Sequence, residues 1–112
     1  MIIKLEKGEI KLKTALNRRE KYDLEVREDD VLIFDPIKRS AVYDQEKVTK
    51  LKEHKVLLAI QSITVNNEEK PITLDTLLNE GLLTDSEFRE VFDKGLKHCN
   101  ELSAYAEPSK KS

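Results

Sequence analysis

Apolar and polar residues follow two different periods along this chain, and the change of period divides it. Residues 2–6 and 9–14 alternate, with Ile3, Leu5, Ile10 and Leu12 on one side and lysines and glutamates between them. Period-two alternation predicts half-buried strands, and Lys7-Gly8-Glu9 between the runs predicts a hairpin whose Gly8 takes positive φ in the loop. Residues 15–30 read two ways. Asn17 followed three positions later by Glu20 has the form of a capping box and would open a helix, whereas Tyr22, Leu24 and Val26 alternate like a strand. Val31-Leu32-Ile33-Phe34 is a continuous apolar run closed by Asp35-Pro36, which predicts a short buried strand.

Asp44 is placed to cap a helix from about Gln45. Its apolar positions Val48 and Leu51 mark one face, and Val56-Leu-Leu-Ala-Ile60 then points all round the axis. Such an end must be buried or must turn into a strand, and with no breaker present the helix is expected to reach about Gln61. Ser62–Ile72 reads as a tight turn or minimal hairpin around Asn66-Asn67.

The last third carries the plainest punctuation. Thr73 with Asp75 in the first turn opens one helix, and Gly81 is expected to close it in left-handed geometry. Thr84-Asp-Ser-Glu87 is a second capping box. At roughly 100° per residue, Phe88, Val91, Phe92, Gly95, Leu96, Cys99 and Leu102 fall within an arc of about 140°. Glu87, Arg89, Glu90, Asp93, Lys94, Lys97 and Glu101 fall opposite. The fold class expected is therefore α+β: an N-terminal hairpin or small antiparallel sheet packed against three to four helices and ending in a helix pair. Residues 1–103 form a single domain, and 104–112, with Pro108, serines and two lysines, are expected to be a disordered tail.

Composition changes this picture mainly by exclusion. Charged residues make up 38% and aromatics 5%, so broad stacking surfaces for bases or sugars are not expected. Residues 1–56 hold 14 Lys and Arg against 12 Asp and Glu, and the remainder holds 6 against 10. Neither half is basic enough to imply nucleic acid on charge alone. One cysteine, Cys99, allows no internal disulfide and suits a reducing compartment. No apolar run approaches the length of a membrane span, and Lys4 interrupts the N-terminus too early for a signal peptide.

Candidate chemistry is sparse. His98 and Cys99 are adjacent, so on a helix they diverge by about 100° and do not share a metal. Cys99 sits in mid-stripe and reads as a core thiol. Glu28-Asp29-Asp30 and Glu68-Glu69 lack calcium-loop spacing and read as solvated loops. The lysines at 47, 50, 52 and 55 spread around their helix and are diluted by Glu46 and Glu53. No catalytic residue, cofactor site or metal site is expected.

The order of the pieces resembles the tail assembly chaperones of long-tailed bacteriophages and their prophage relatives. The resemblance is carried by the hairpin IIKLEKGEIKLK, the apolar helix VLLAIQSI, the turn ITVNNEEKPI and the helix pair TLDTLLNEGLL and TDSEFREVFDKGL. It implies a non-enzymatic protein of the bacterial host cytoplasm, without cofactor or membrane. Its partners would be the tape-measure and tail-tube proteins and further copies of itself. The partner surface expected is Phe88, Val91, Phe92 and Leu96 of the closing helix. The alternative reading is a small regulatory module that binds nucleic acid or a host protein.

Overall fold

The computed structural model describes residues 1–37 and 39–103, the side chains of residues 33–35 apart. Its ten elements run β1 (Ile2–Lys4), β2 (Gly8–Leu12), α1 (Arg18–Asp30), β3 (Leu32–Asp35), β4 (Ser40–Tyr43), α2 (Gln45–Ala59), β5 (Ile60–Val65), β6 (Glu68–Lys70), α3 (Leu74–Leu78) and α4 (Asp85–Ser103). A four-stranded antiparallel sheet in the order β1-β2-β5-β6 lies under α2 and α4, and β3 and β4 form a separate two-stranded ribbon. The α+β architecture is as the periodicities predict.

The sheet has one apolar face. Ile3, Ile10 and Ile63 stand in one cross-strand row, and all three are buried. Leu12, Ile60 and Val65 extend that face, and Val56, Leu77, Leu83 and Val91 close over it. Each large aliphatic group so buried contributes roughly 1.5–3 kcal/mol. The other face carries Lys4, Glu9, Thr64 and Glu69 in one row, with Lys4 Nζ 3.4 Å from the Glu9 carboxylate. A second, smaller core of Leu16, Leu24, Ala59 and Cys99 joins α1 to the ends of α2 and α4.

Helix α1 settles the ambiguity of residues 15–30. The Asn17 side chain accepts from the Glu20 N–H at 2.8 Å, and the Glu20 carboxylate accepts from the Asn17 N–H at 2.9 Å. That reciprocal cap outweighs the strand-like alternation, and only Leu24 of the helix is buried.

Four local expectations are corrected. Helix α2 ends at Ala59, not Gln61, and Ile60 begins β5 with no loop between them. The reason is lateral. The Lys13 N–H donates to the Ala59 carbonyl at 2.8 Å, and Ile60, Ile63 and Val65 gain burial only as a strand beside β2. A bulge between Lys11 and Leu12 absorbs the change of register. Gly81 does not close α3 in left-handed geometry, because no glycine has positive φ among the described residues. The helix already ends at Leu78, and the Asn79 side chain accepts from the Gly81 N–H at 2.8 Å. The run at Val31–Phe34 is divided: Val31 is the buried C-cap of α1, and residues 32–34 enter β3, which ends before Pro36 but lies in the ribbon, where Leu32 is exposed. The tail expected at 104–112 lies outside the described residues.

The fourth correction concerns Gly8, which is needed for closeness and not for a left-handed turn. A Cβ there would sit 1.9 Å from the Thr64 carbonyl oxygen of the neighbouring strand. Positive φ occurs instead at Asn66 and Asn67, at 55° and 64°, which is the geometry of a two-residue hairpin turn between β5 and β6. Urea denaturation of Gly8→Ala is expected to show a loss of roughly 1–3 kcal/mol or more, since backbone and not a flexible side chain must yield. Asn66→Val should cost roughly 1–2 kcal/mol, the penalty of a branched residue in left-handed geometry.

Candidate functional site

Helix α4 is placed by its first turn. The Thr84 hydroxyl accepts from the Glu87 N–H at 3.1 Å, and Glu87 Oε1 accepts from the Thr84 N–H at 2.9 Å. The other carboxylate oxygen of Glu87 accepts from the Glu6 N–H in the β1–β2 loop. The hydrogen bond from Thr84, and then that from Glu6, holds the Glu87 carboxyl below the usual range. One side chain thus caps the helix and pins it to the sheet.

Along α4, a seam and a stripe run side by side. Val91, Gly95 and Cys99 form the seam and are buried. Gly95 allows close approach to α2, because a Cβ there would lie 3.1 Å from Cγ1 of Val56. Next to the seam, Phe88, Phe92 and Leu96 are only partly buried against the main core. The two phenylalanine rings are tilted, with centroids 5.9 Å apart. Of the four residues expected to bind a partner, Val91 therefore faces inward, while Phe88, Phe92 and Leu96 keep accessible edges.

Two open depressions follow those edges. One, of ≈ 390 Å³, is lined by Asp85, Phe88, Arg89, Phe92 and Asp93. The next, of ≈ 460 Å³, is lined by Asp93, Leu96, Lys97, Asn100 and Glu101. Asp93 lines both, so the two lie end to end as a track of about 24 Å at 1.5 Å per residue. It is apolar on the core side and charged on the outer side, which suits an amphipathic helix laid alongside.

The other sequence candidates are structural. Cys99 is fully buried among Leu16, Leu24 and Ala59, and burial pushes its thiol up, away from the reactive thiolate. His98 points elsewhere: its Nε2 lies 2.6 Å from the Lys13 carbonyl oxygen and donates to it. Its Nδ1 is 4.0 Å from the Glu101 carboxylate and has no hydrogen-bond partner among the described residues. His54 Nε2 is buried and likewise unpartnered among them.

The acidic runs are not loops, since Glu28-Asp29-Asp30 closes α1 and Glu68-Glu69 lies in β6, and the basic and acidic runs mostly neutralise one another. Lys47 pairs with Asp30 at 3.3 Å, Lys50 with Glu46 at 3.7 Å, and Lys55 with Glu28 at 3.1 Å. Lys55 also donates to the Asn100 side chain at 2.9 Å, so a largely buried ammonium ties α1, α2 and α4 together. Sequence reading missed that tie, because its three members lie far apart in the chain. Among the described residues, no group of three or more His, Cys, Asp or Glu is arranged to hold a metal ion. Nor is any helix of these residues long and apolar enough to cross a membrane.

Sequence reading also missed where exposed apolar groups gather. Tyr22, Val26, Leu32, Ile37 and Tyr43 are all exposed and all lie on α1 or the β3–β4 ribbon. The signal was available, since Tyr22 and Val26 stand four apart and opposite Leu24 on a helix.

Comparison with protein families, with curated proteins and with solved structures finds no match to this chain.

One titration follows from this packing. Burial, reinforced by the Arg27 charge, lowers the His54 pKa below its ordinary value of 6.5. The folded state therefore holds His54 neutral, and the unfolded chain binds the proton first as pH falls. The stability this contributes is complete above about pH 6.5 and is lost as pH drops through the folded value. His54→Leu is expected to flatten the decline in denaturation midpoint below pH 6.5, relative to the parent protein.

Proposed function

We propose that this protein is a non-enzymatic tail assembly chaperone, which holds helical segments of a tape-measure protein on the track along α4 and recruits tail-tube subunits. The observation that carries this reading is the partly covered line Phe88–Phe92–Leu96, set between a buried seam and a charged outer row. Its accessible edges offer apolar contact at helical spacing to another chain. The resemblance of the hairpin, central helix, turn and closing helices to the phage chaperones supports the same reading. The hairpin, the turn and the closing segments fall on β1–β2, β5–β6 and α3–α4, while VLLAIQSI is divided between the end of α2 and the start of β5.

The physical logic is that of transient shielding. A tape-measure protein is long and apolar, and before assembly its helices need cover from one another. A shallow track gives cover without the enclosure that would make release slow. Half-buried phenylalanines fit this use, because the core fixes their rotamers before a partner arrives and little side-chain entropy is lost on binding.

Co-expression with the tape-measure protein of the same genome tests the reading. Co-purification is expected, with capture reduced at least tenfold, or about 1.4 kcal/mol, by the pair Phe88→Ser and Phe92→Ser. Arg89→Glu on the charged row, which leaves the core intact, should weaken capture while circular dichroism stays that of the parent. A folded parent protein that captures neither tape-measure nor tail-tube protein overturns the proposal.

A further inference from the structure

The outer face of α1 carries an arrangement that the α4 track does not use. At roughly 100° per residue, Tyr22 and Val26 lie opposite the buried Leu24, one to each side of the outward direction. Both are exposed, at 64% and 51%. Arg18 and Arg19 precede them along the same face, Asp29 follows, and all three are exposed. Among the described residues none of these three has an ion-pair partner within the subunit.

This order of charge is unfavourable to the helix itself. A helix dipole favours acids at the N-terminus and bases at the C-terminus; Glu20 and Arg27 of α1 meet that preference, whereas on the outer face two arginines open the helix and Asp29 stands at its end. A helix running the other way beside this face would set an opposite charge against each of its ends. A two-fold axis passing next to Leu24 sets Tyr22 of one helix level with Val26 of the other. Arg18 and Asp29 lie on the same flank of the stripe, so the same axis brings Arg18 of each copy beside Asp29 of its mate. Such a face is self-complementary, as an isologous contact requires.

We propose that α1 pairs antiparallel with α1 of a second copy of this chain, through Tyr22 and Val26 at the centre and Arg18–Asp29 ion pairs at both ends. A single short helix gives a small contact, so the dimer is weak and forms in the micromolar range or above. The apolar centre supplies attraction and the charges set direction: a parallel pair would place arginine against arginine. This pairing does not rest on the reading of α4 and stands or falls separately from it.

Sedimentation equilibrium of the full chain across a concentration series tests the pairing. Dimerisation is expected to weaken at least about tenfold from low to high salt, as exposed ion pairs are screened. R18E and D29R should each weaken it at least about tenfold, because each sets like charges together at both ends. An equimolar mixture of R18E and D29R is expected to dimerise again, since every pair is then of opposite sign. Tyr22→Ser with Val26→Ser should abolish the dimer and keep the helical spectrum of the parent. A parent chain that stays monomeric at several hundred micromolar overturns the proposal. So does a dimer indifferent to both charge reversals, or a mixture that fails to associate.

Discussion

The pairing of β2 with β5 is the contact on which the rest of the molecule depends. These are the two inner strands of the sheet, and Ile10 and Ile63 face each other there with no exposed surface. Gly8 permits the strands to meet, since any side chain at that point would strike the Thr64 backbone. Because α2 runs into β5 without a loop, fixing this pair also fixes the helix. Helix α4 is then held by Gly95 against Val56 and by Glu87 against the loop at Glu6. A slip of one residue between β2 and β5 would turn the inner isoleucines to the polar face and detach both helices from their floor.

Local signals in the sequence were legible where one residue suffices to satisfy backbone groups. The Asn17, Asp44, Thr73 and Thr84 caps all appear at the helix starts where their side chains place them. The seven-residue stripe of α4 was legible for the same reason, because its period belongs to one element. What stayed illegible depends on partners distant in the chain. The helix-to-strand change at Ala59–Ile60 is decided by β2, and the role of Gly8 is decided by Thr64. Both glycine readings assumed positive φ, while the structure uses Asn66 and Asn67 for that geometry between β5 and β6. The candidate surface was half legible. Periodicity finds the apolar arc but cannot divide Val91, turned inward, from Phe88 and Phe92, turned partly outward, without the position of α2 and the sheet.

Two helices divide the work of cohesion and display differently. Helix α4 does both at once, with a buried seam next to an accessible stripe. Helix α1 buries one residue, Leu24, fully in a core, half-buries Glu20, Lys21 and Glu28, and leaves the remainder of its surface to solvent. Its hold on the body comes mainly from that leucine and from three ion pairs, Glu20 to Lys13, Glu28 to Lys55 and Asp30 to Lys47. An element so lightly fastened is cheap to alter by mutation without harm to the sheet, whereas changes along α4 are felt in both core and surface.

The closure of β2 onto β5 has a consequence for the order in which a nascent chain can mature. The first hairpin leaves the ribosome early, yet its neighbour in the sheet is made about fifty residues later, a gap that slows closure through loop entropy. Until then one edge of β2 has unpaired peptide groups and its isoleucine lacks a floor. The intervening α1 can coil meanwhile, because its cap is local, whereas the ribbon after it must wait only for its own second strand. Vectorial synthesis therefore yields autonomous pieces first, and the sheet condenses only when translation reaches the strand that follows α2.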